Sequence, residues 1–407
     1  MLTALEAGVK GGKWFSLIDK VIASRTLAAA WARVRANGGA AGVDRQTLTM
    51  FERNLEANLR DLAGAVREGK FQPQPVRRVW IDKPGSKEKR PLGIPTVRDR
   101  VLQTALRFAL EPIFEREFAA HSYGFRPNRG CKDALRRVDG LLKEGYTWVV
   151  DADFKKYFDT IPRGPLLERV RGKVADGRVL ELVEAYLHQQ VMDGMERWTP
   201  DGGTPQGAIV SPLLANIYLD PLDHAMQEAG LEMVRYADDL VILCRSRAQA
   251  EEALERLRAW TAQAGLTLHP DKTRLVDATQ AGGFDFLGYH FERGYRWPRK
   301  KSVEKLKQAL RGKTPRNSGH SLPCIIADVN RTVRGWYEYF KHSHPNTLTP
   351  LDGWVRMRLR SILRKRHGGR GHGKGNDHFR WPNAYFAKLG LFSMTAARAL
   401  AVQSARR

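Results

Sequence analysis

Two adjacent carboxylates, Asp238 and Asp239, are the residues whose types and spacing most strongly suggest chemistry in this chain. They follow Tyr236 and lie between segment 233–235 and the apolar run 240–243, a pattern that predicts a strand, a tight turn and a second strand. Such a turn would carry both acids out of a hydrophobic sheet into a cleft. Joined by a third carboxylate, they could hold the two Mg²⁺ ions used by in-line nucleotidyl transfer. An ordinary surface turn is the alternative, because Asp is common in turns.

The third carboxylate would come from the apolar segment that begins at Val149. If this segment is a strand, Asp151 and Asp153 face the same way, because side chains on a strand alternate with a period of two. Asp159 is a further candidate. An acid after an apolar strand can also be a simple strand terminator or helix cap. The spacing therefore leaves the choice among these three acids open.

The charge of the chain is high and unevenly distributed. The net charge is +24, and the part from Tyr289 to Arg407 contains 26 Lys and Arg residues against 6 Asp and Glu residues. A basic region of this kind indicates a polyphosphate partner, most commonly nucleic acid. The alternative, a solubilising surface, usually mixes charges of both signs.

The remaining composition limits the class of protein. A chain of 407 residues with 42% hydrophobic and 28% charged residues is typical of a soluble globular protein with two or three domains. It has no apolar run near the roughly 18 residues of a membrane span, and no apolar segment of a secretory signal near its start. The three cysteines are far apart, which favours a reducing cytosol without disulfides or structural zinc. We therefore predict a cytoplasmic protein without a membrane partner.

Periodicity predicts a mixture of helices and strands, and hence an α+β core. Helices are expected over 14–36, 48–68, 98–118, 164–192 and 247–264, and strands over 76–82, 147–153 and 284–291. Residues 37–44 form a glycine-rich loop, and the basic, glycine-rich segment 367–375 should be flexible. Beyond about residue 300 the pattern becomes helical and basic.

Around the acids the sequence resembles the reverse transcriptases. Their first catalytic motif has the pattern Asp-x-Lys-x-x-Phe-Asp, and only Asp153, with Phe158 five positions later, fits that spacing. Residues 236–239 resemble the second motif, Tyr-x-Asp-Asp. The resemblance implies Asp153, Asp238 and Asp239 as the catalytic residues, the first two as bridging metal ligands and Asp239 in a supporting role.

The same resemblance implies a cofactor and a means of selecting the sugar. The implied metal ligands are Asp153, Phe154, Asp238 and Asp239, and the cofactor is a pair of Mg²⁺ ions that Mn²⁺ could replace. Phe158 would be a steric gate whose ring clashes with a ribose 2′-hydroxyl and so selects deoxynucleotides. The alternative role for Phe158 is that of an ordinary core aromatic.

Over roughly residues 37–390 the chain is similar to one group, the group II intron reverse transcriptases, or intron-encoded maturases. The similarity rests on five strings of residues: 90–96, 122–127, 203–216, 266–273 and 284–291. The nucleotide-binding residues that it implies are Lys83, Arg90, Phe158, Gln206 and Lys272. The loop after Lys83 is one residue longer than usual, so Lys87 or Lys89 could take its place. Lys272 could act as a general acid or as a counter-charge.

The similarity also implies residues that bind the nucleic acid. Asn37 lies in the N-terminal loop of the family, and Arg126 lies in the string 122–127. Segments 335–340 and 351–360 are typical of the maturase domain. There Arg356, Arg360 and Arg364 fall at i, i+4 and i+8 and would form one basic stripe, with Lys365 adjoining. A solvated charged face is the alternative.

Together these observations predict a right-hand polymerase: fingers and palm, followed by an α-helical thumb or maturase domain. The expected divisions are 1–75 (N-terminal extension and start of the fingers), 76–290 (fingers and palm), 291–366 (thumb) and 367–407 (a basic segment that could bind DNA). No Cys follows Cys324, so the late histidines lack the cysteines of a His-Asn-His nuclease, and we expect the endonuclease-less subclass.

The function that the resemblance implies is RNA-dependent DNA synthesis for a group II intron. The protein would also bind the intron RNA, assist splicing and support retrohoming by target-primed reverse transcription. Its partners would be the intron RNA, an RNA template with a DNA primer or target DNA, and dNTPs. A splicing-only maturase and a free-standing reverse transcriptase used in DNA repair or phage defence are the alternatives. A template-dependent RNA polymerase is disfavoured by Phe158.

Overall fold

A computed structural model describes residues 12–82, 89–205 and 207–405. The chain divides into a first unit that ends at Val276 and a second unit that begins at Asp277. The division expected at 290/291 stays a prediction. Within the second unit, the Tyr289 hydroxyl donates to the Tyr339 carbonyl oxygen (2.6 Å) and the Tyr339 hydroxyl donates to the Leu287 carbonyl oxygen (2.8 Å).

The first unit is α+β, as predicted. Its helices are α1 (Ile18–Val21), α2 (Ser24–Asn37), α3 (Leu48–Arg53), α4 (Leu55–Arg67), α5 (Val97–Glu115), α6 (Cys131–Lys143), α7 (Tyr157–Thr160), α8 (Arg163–Arg171), α9 (Gly177–Leu187), α10 (Ser211–Glu228) and α11 (Arg247–Gln263). Its strands are β1 (Val76–Asp82), β2 (Lys89–Ile94), β3 (Trp148–Asp153), β4 (Val191–Asp193), β5 (Glu196–Trp198), β6 (Glu232–Tyr236), β7 (Asp239–Cys244) and β8 (Arg274–Asp277).

Two sheets organise this unit. One has the order β2-β1-β4-β5, and the other has the order β6-β7-β3-β8. In the second sheet, β7 is antiparallel to both β6 and β3. The apolar residues of β3 and β7, such as Val150 and Ile242, are fully buried in the core of the unit. Burial of these strands fixes their register, since a slip of one residue would turn the apolar side chains outward.

The second unit contains a small sheet and a group of helices. Its strands are β9 (Phe284–Phe286), β10 (Tyr289–Glu292) and β11 (Tyr295–Pro298), in the order β11-β10-β9. Its α-helices are α12 (Lys300–Lys313), α13 (Leu322–Phe340), α14 (Leu348–Arg366), α15 (Asp377–Arg380), α16 (Asn383–Lys388) and α17 (Met394–Ala405). α12, α13 and α14 surround a separate apolar core that includes Val329 and Leu359.

Four expected elements differ from those observed. The segment 164–192, predicted to be helical, contains α8, α9 and the first residues of β4. The predicted helices 14–36 and 48–68 are each two shorter helices, the second pair being separated at Asn54. The predicted strand 284–291 is a hairpin of β9 and β10, which turns at Leu287 and Gly288, both with positive φ. No helix among the described residues is long and apolar enough to cross a membrane.

The glycine-rich segment 367–375 is packed rather than flexible. The Gly373 N–H donates to Ser361 Oγ of α14 (3.0 Å), and a side chain at Gly373 would collide with Arg360. The Gly369 N–H donates to the Arg364 carbonyl oxygen (2.8 Å). Glycine is therefore used here because the segment lies against the helix, and composition alone does not distinguish this use from flexibility.

Candidate active site

The register between β3 and β7 brings the predicted acids together. Asp153, the last residue of β3, lies directly opposite Asp239, the first residue of β7, and Asp238 precedes it at the tip of the hairpin. Asp151 lies opposite Val241, further down the sheet, and Asp159 is on the separate helix α7. Of the three candidates, Asp153 is the one that the sheet register sets opposite Asp239, and its role as a metal ligand stays a prediction.

The tip of the β6–β7 hairpin has an unusual backbone. Ala237 has a φ of 59°, in the left-handed region that residues other than glycine rarely adopt. The segment before Gly124 runs beside β6, since the Tyr123 N–H donates to the Arg235 carbonyl oxygen (2.9 Å). Gly124 fits so closely under the tip that a Cβ there would collide with the backbone of Ala237. The close approach of two backbones therefore requires glycine at position 124.

A buried arginine supports this hairpin from below. Arg235 is fully buried, and its Nε donates to Asp223 Oδ1 (2.8 Å) while Nη2 bonds to Asp223 Oδ2. Its Nη1 donates to Asn216 Oδ1 (3.0 Å) and to the Ala237 carbonyl oxygen (2.9 Å). Asn216 Nδ2 in turn donates to the Gly124 carbonyl oxygen (2.7 Å). One guanidinium therefore connects α10, the hairpin tip and the segment beneath it.

The electrostatics of the acids fit a site that binds cations. Burial and the negative charge of Asp153 raise the pKa of Asp238, whereas the charges of Arg90 and Arg235 lower it. Lys272 Nζ forms an ion pair with Asp153 Oδ2. A carboxylate whose pKa is raised by burial and by a neighbouring acid, beside an acid that already attracts a cation, would be stabilised by a positive ion bound next to it.

The oxygen donors present are of the kind that Mg²⁺ prefers. Asp153 and Asp238 offer carboxylates, and Phe154 offers its carbonyl oxygen. The Asp153 carbonyl accepts from the His269 N–H (2.7 Å), and the Lys155 N–H donates to the Thr267 carbonyl oxygen (2.8 Å). The Phe154 carbonyl between them therefore points to the other side of the strand, where β7 lies. Among the described residues, no group of three or more acidic, histidine or cysteine side chains is already arranged around a metal position.

Aromatic rings form one wall near the acids. Phe158, the predicted gate, is half-buried and contacts Phe125 edge-on, with ring centroids 6.4 Å apart. Phe125 also approaches Tyr236 (6.5 Å) and is itself 41% exposed with a φ of 61°. A bulky residue in the left-handed region is strained, and such strain persists where surrounding contacts hold it. Whether Phe158 acts as a sugar gate stays a prediction.

Of the other predicted nucleotide-binding residues, the structure describes Arg90 and Lys272. Lys83 and Gln206, and also Lys87, lie outside the described residues. Arg90 is on β2, is exposed, and is close enough for its charge to act on Asp238. Lys272 is at the acids themselves, as described above. Asn37, expected to bind nucleic acid, is exposed at the end of α2, so its role stays a prediction.

Arg126 does not have the role predicted for it. Its Nη1 donates to the carbonyl oxygens of Ala119 (2.6 Å) and Ser122 (2.8 Å), and its Nε donates to Glu115 Oε1 (3.0 Å). The residue is only 7% exposed. Because its donors face backbone carbonyls and a carboxylate, Arg126 holds the segment before Gly124 in place and does not face a phosphate.

The predicted basic stripe on α14 is also corrected. Arg360 is 2% exposed, and it donates to the Trp381 carbonyl oxygen (2.9 Å) and to Asn383 Oδ1 (2.7 Å). Arg364 pairs with Asp377 (2.7 Å) and is half-buried, as is Arg356. Only Lys365 is exposed. The residues do share one side of the helix, but that side is covered by the chain that follows.

The sequence analysis missed the residues that position the acids. Arg235, Asp223, Asn216 and Gly124 form the support of the hairpin, yet none was singled out as functional. A signal was present for Arg235, because a charged residue directly before the motif in an otherwise apolar strand must find a partner when it is buried. Its partner Asp223 lies on α10, and spacing along the chain gives no indication of that contact.

Two family models match this chain. A family model described as reverse transcriptase (RNA-dependent DNA polymerase) matches residues 81–291. A second model, described as group II intron, maturase-specific domain, matches residues 303–379.

Individual relatives cover different shares of the chain. Protein YkfC of Escherichia coli (strain K12) is 34% identical over 292 residues, which cover 62% of this chain and 76% of that protein. Group II intron-encoded protein LtrA of Lactococcus lactis subsp. cremoris is 37% identical over 186 residues, 46% of this chain and 31% of LtrA. The chain thus spans less than a third of the length of LtrA. A chain of a partial Cas6-RT-Cas1–Cas2 complex is 24% identical, covers 61% of this chain and 42% of its own length, and has a TM-score of 0.39.

The first family model covers more than half of the chain, and its match includes β3, the β6–β7 hairpin and all three acids. This chain therefore belongs to the reverse transcriptase family and carries a group II intron maturase-specific domain.

Proposed function

We propose that this chain copies RNA into DNA by a mechanism that uses two Mg²⁺ ions, held mainly by Asp153 and Asp238. The observation that carries the proposal is the register that sets Asp153 opposite Asp239, with Asp238 beside it at the hairpin tip. Membership of the reverse transcriptase family supports the reaction class. When bound, the ions would lower the pKa of the primer 3′-hydroxyl and neutralise charge on the triphosphate.

The residues of the chain divide this work. Asp153 and Asp238 supply carboxylates on the two strands, and the Phe154 carbonyl adds a donor on the same side. Asp239 is the more exposed member of the pair and supports the site from its edge. Lys272 would lose its ion pair with Asp153 when a metal binds, and its ammonium would then be able to contact the departing phosphate. Arg90 contributes positive charge for the incoming triphosphate.

We infer that the second unit binds intron RNA and that the chain assists splicing and retrohoming. The match to a maturase-specific domain supports this inference, as does the net charge of +20 that the region from Tyr289 onward contributes. The relative LtrA is named a group II intron-encoded protein, although the chain spans only 31% of it. The free thiols of Cys131, Cys244 and Cys324 are compatible with a reducing cytosol.

The decisive experiment is primer extension by the Asp238→Asn variant. The assay uses an RNA template, an annealed DNA primer, dNTPs and Mg²⁺. Asn keeps the size of the side chain but removes the charge, so we expect cDNA synthesis to be abolished while RNA binding, measured by filter retention, is kept. Asp61→Asn is the matched control, because Asp61 is exposed on α4 and belongs to none of the motifs around the acids, and it should extend the primer normally.

Two results would contradict the proposal. Extension by Asp238→Asn at the wild-type rate would remove the metal assignment. Efficient incorporation of ribonucleotides by the wild-type chain would instead indicate an RNA polymerase and would remove the gate assigned to Phe158.

A further inference from the structure

Arg360 and Arg364 of α14 face inward, so the exposed charges of this region come from the chain that lies over them. We call residues 365–380, which comprise the last two residues of α14 and the chain that follows, the cover segment. It contains five cationic residues, three histidines and one acid: Lys365, Arg366, Arg370, Lys374 and Arg380; His367, His372 and His378; and Asp377. The acid is buried and paired with Arg364, so it does not offset the exposed charges. The outer surface of the cover segment is therefore almost purely cationic.

The cover segment is held on a fixed framework. Arg364 Nε donates to the Arg370 carbonyl oxygen (2.7 Å), and Arg360 Nε donates to the Trp381 carbonyl oxygen just beyond the segment (2.9 Å). The Gly373 N–H donates to Ser361 Oγ (3.0 Å), and the Lys374 N–H donates to Asp377 Oδ2 (3.0 Å). Side chains on such a framework lose less conformational entropy on binding than side chains on a mobile loop.

One apolar side chain stands among these charges. Phe379, on the short helix α15, is 86% exposed, and its neighbours His378 and Arg380 are exposed as well. A single exposed Phe is unremarkable on most surfaces. Here it lies within a cationic segment, and the guanidinium of Arg380 lies over the Trp381 ring (4.8 Å). An exposed ring within a cationic segment matches the chemistry of a nucleotide, whose base stacks while its phosphates are neutralised.

We propose that the cover segment is the RNA-docking surface of the second unit, with Phe379 stacked on an unpaired base. Lys365, Arg370 and Lys374 would contact the adjacent phosphates. Arg360 and Arg364 of α14 build this surface from beneath and do not touch the RNA. The inference rests on the proposed binding of intron RNA and names the surface and the chemistry of that contact. An unpaired base is required because bases in a continuous helix are not free to stack on a side chain.

The test measures binding of an RNA hairpin that carries 2-aminopurine in its loop. The full chain is titrated without dNTPs, so the result does not depend on polymerisation. A saturating, unlabelled RNA-template/DNA-primer duplex occupies the polymerase cleft. For the wild type we expect binding to persist with the duplex present and 2-aminopurine fluorescence to be quenched by stacking. A fully paired RNA duplex should bind more weakly, and a DNA hairpin of the same sequence shows whether the 2′-hydroxyl contributes.

Two kinds of variant separate stacking from phosphate contact. Phe379→Ala should raise the Kd for the hairpin about tenfold or more, the usual cost of losing one base–aromatic stack, with the salt dependence unchanged. Phe379→Trp should restore both affinity and quenching. Lys365→Ala/Lys374→Ala should instead reduce the slope of log Kd against log salt by about one to two, because about one counterion is released per phosphate contact.

Matched controls come from the first unit. Arg256→Ala/Arg258→Ala removes the same charge from the exposed face of α11, and Phe15→Ala removes a ring that is 75% exposed. Neither should change hairpin binding. Wild-type affinity and quenching in Phe379→Ala, an equal loss in the controls, or displacement of the hairpin by the duplex would each overturn the proposal.

Discussion

Buried arginines support both units of this protein, but they support different things. In the first unit, Arg235 lies under the β6–β7 hairpin and holds two acids at its tip. In the second unit, Arg360 and Arg364 lie under the cover segment and fix its backbone, and the cationic side chains of the segment are exposed. In each case the guanidinium forms hydrogen bonds to backbone carbonyls, and the neighbouring residues present the charge that a partner can reach.

Arg235 and Arg360 differ in how the charge of the guanidinium is balanced, whereas Arg364, which pairs with Asp377, resembles Arg235 in this respect. Arg235 faces the carboxylate of Asp223 in a fully buried pair, whereas the nearest hydrogen-bond partners of Arg360 are a carbonyl and an amide oxygen. Removing one partner of a buried ion pair leaves an uncompensated charge, and that costs more than losing a neutral hydrogen bond. We therefore expect Arg235 to contribute more to the free energy of unfolding than Arg360, although both donate to backbone carbonyl oxygens.

The largest effect is expected for Arg235→Met. The change leaves Asp223 buried without its counter-ion, and it frees the Ala237 carbonyl from its donor. We expect a loss of about 3–5 kcal/mol in the free energy of unfolding, measured by urea denaturation, together with loss of cDNA synthesis.

A double variant separates stability from positioning. Arg235→Met/Asp223→Leu should recover much of the stability, because a buried pair can often be replaced by apolar residues. It should not recover cDNA synthesis, since the hairpin tip still lacks its donor. If activity returned together with stability, Arg235 would have no positioning role.

The next effect concerns the shape of the hairpin rather than its charge. Gly124→Ala places a methyl group against the backbone of Ala237, so the tip must move. We expect the rate of primer extension to fall about a hundredfold, a typical result of misplacing catalytic groups by about 1 Å. Gly164→Ala is the control, because nothing lies within 4 Å of the added methyl group. Similar rates in the two variants would show that the tip tolerates displacement.

The first unit shows what sequence can predict about such a site. Strand periodicity left Asp151 and Asp153 on one face, and only the resemblance to the family motif singled out Asp153. The register sets that residue opposite Asp239, and its role as a metal ligand stays a prediction. Arg126 was predicted to bind nucleic acid, and that assignment was wrong. Its motif resembles that of the family, but a motif does not state whether a side chain faces a ligand or the protein, and here it faces Glu115 and two carbonyls.

The second unit shows the same limit more plainly. Helical periodicity placed Arg356, Arg360 and Arg364 on one side of α14, and that placement was right. Periodicity does not tell which side is later covered by chain that is distant in sequence. The covering chain is glycine-rich, which suggested flexibility, whereas two of its glycines, Gly369 and Gly373, allow it to lie against Arg364 and Arg360.

A smaller effect is expected for Arg360→Met. Its partners are the Trp381 carbonyl and the Asn383 amide, both neutral, so we expect a loss of about 1–3 kcal/mol in the stability of the second unit. Arg356→Met, on the same helix and half-buried, is the control and should cost less. The measurement is thermal unfolding followed by Trp fluorescence. A loss as large as that of Arg235→Met would remove the distinction between paired and unpaired arginines.

The smallest effect is expected for the stability of Asp238→Asn, and here the variant should be more stable than the wild type. Burial and the charge of Asp153 raise the pKa of Asp238 in the folded state, so folding favours its protonated form. The ionised carboxylate therefore destabilises the fold at neutral pH. Without divalent cations, Asp238→Asn should have a higher Tm than the wild type at pH 7.

That difference has a defined pH dependence. It should shrink as the pH falls through the raised pKa of Asp238 and disappear below the ordinary value of 3.8, where both the folded and the unfolded chain carry the protonated acid. Adding Mg²⁺ should reverse the order, because the ion stabilises only the chain that keeps its carboxylate. A variant that loses catalysis yet gains stability would show that Asp238 serves metal binding at the expense of stability. Arg235, in contrast, serves to position the β6–β7 hairpin.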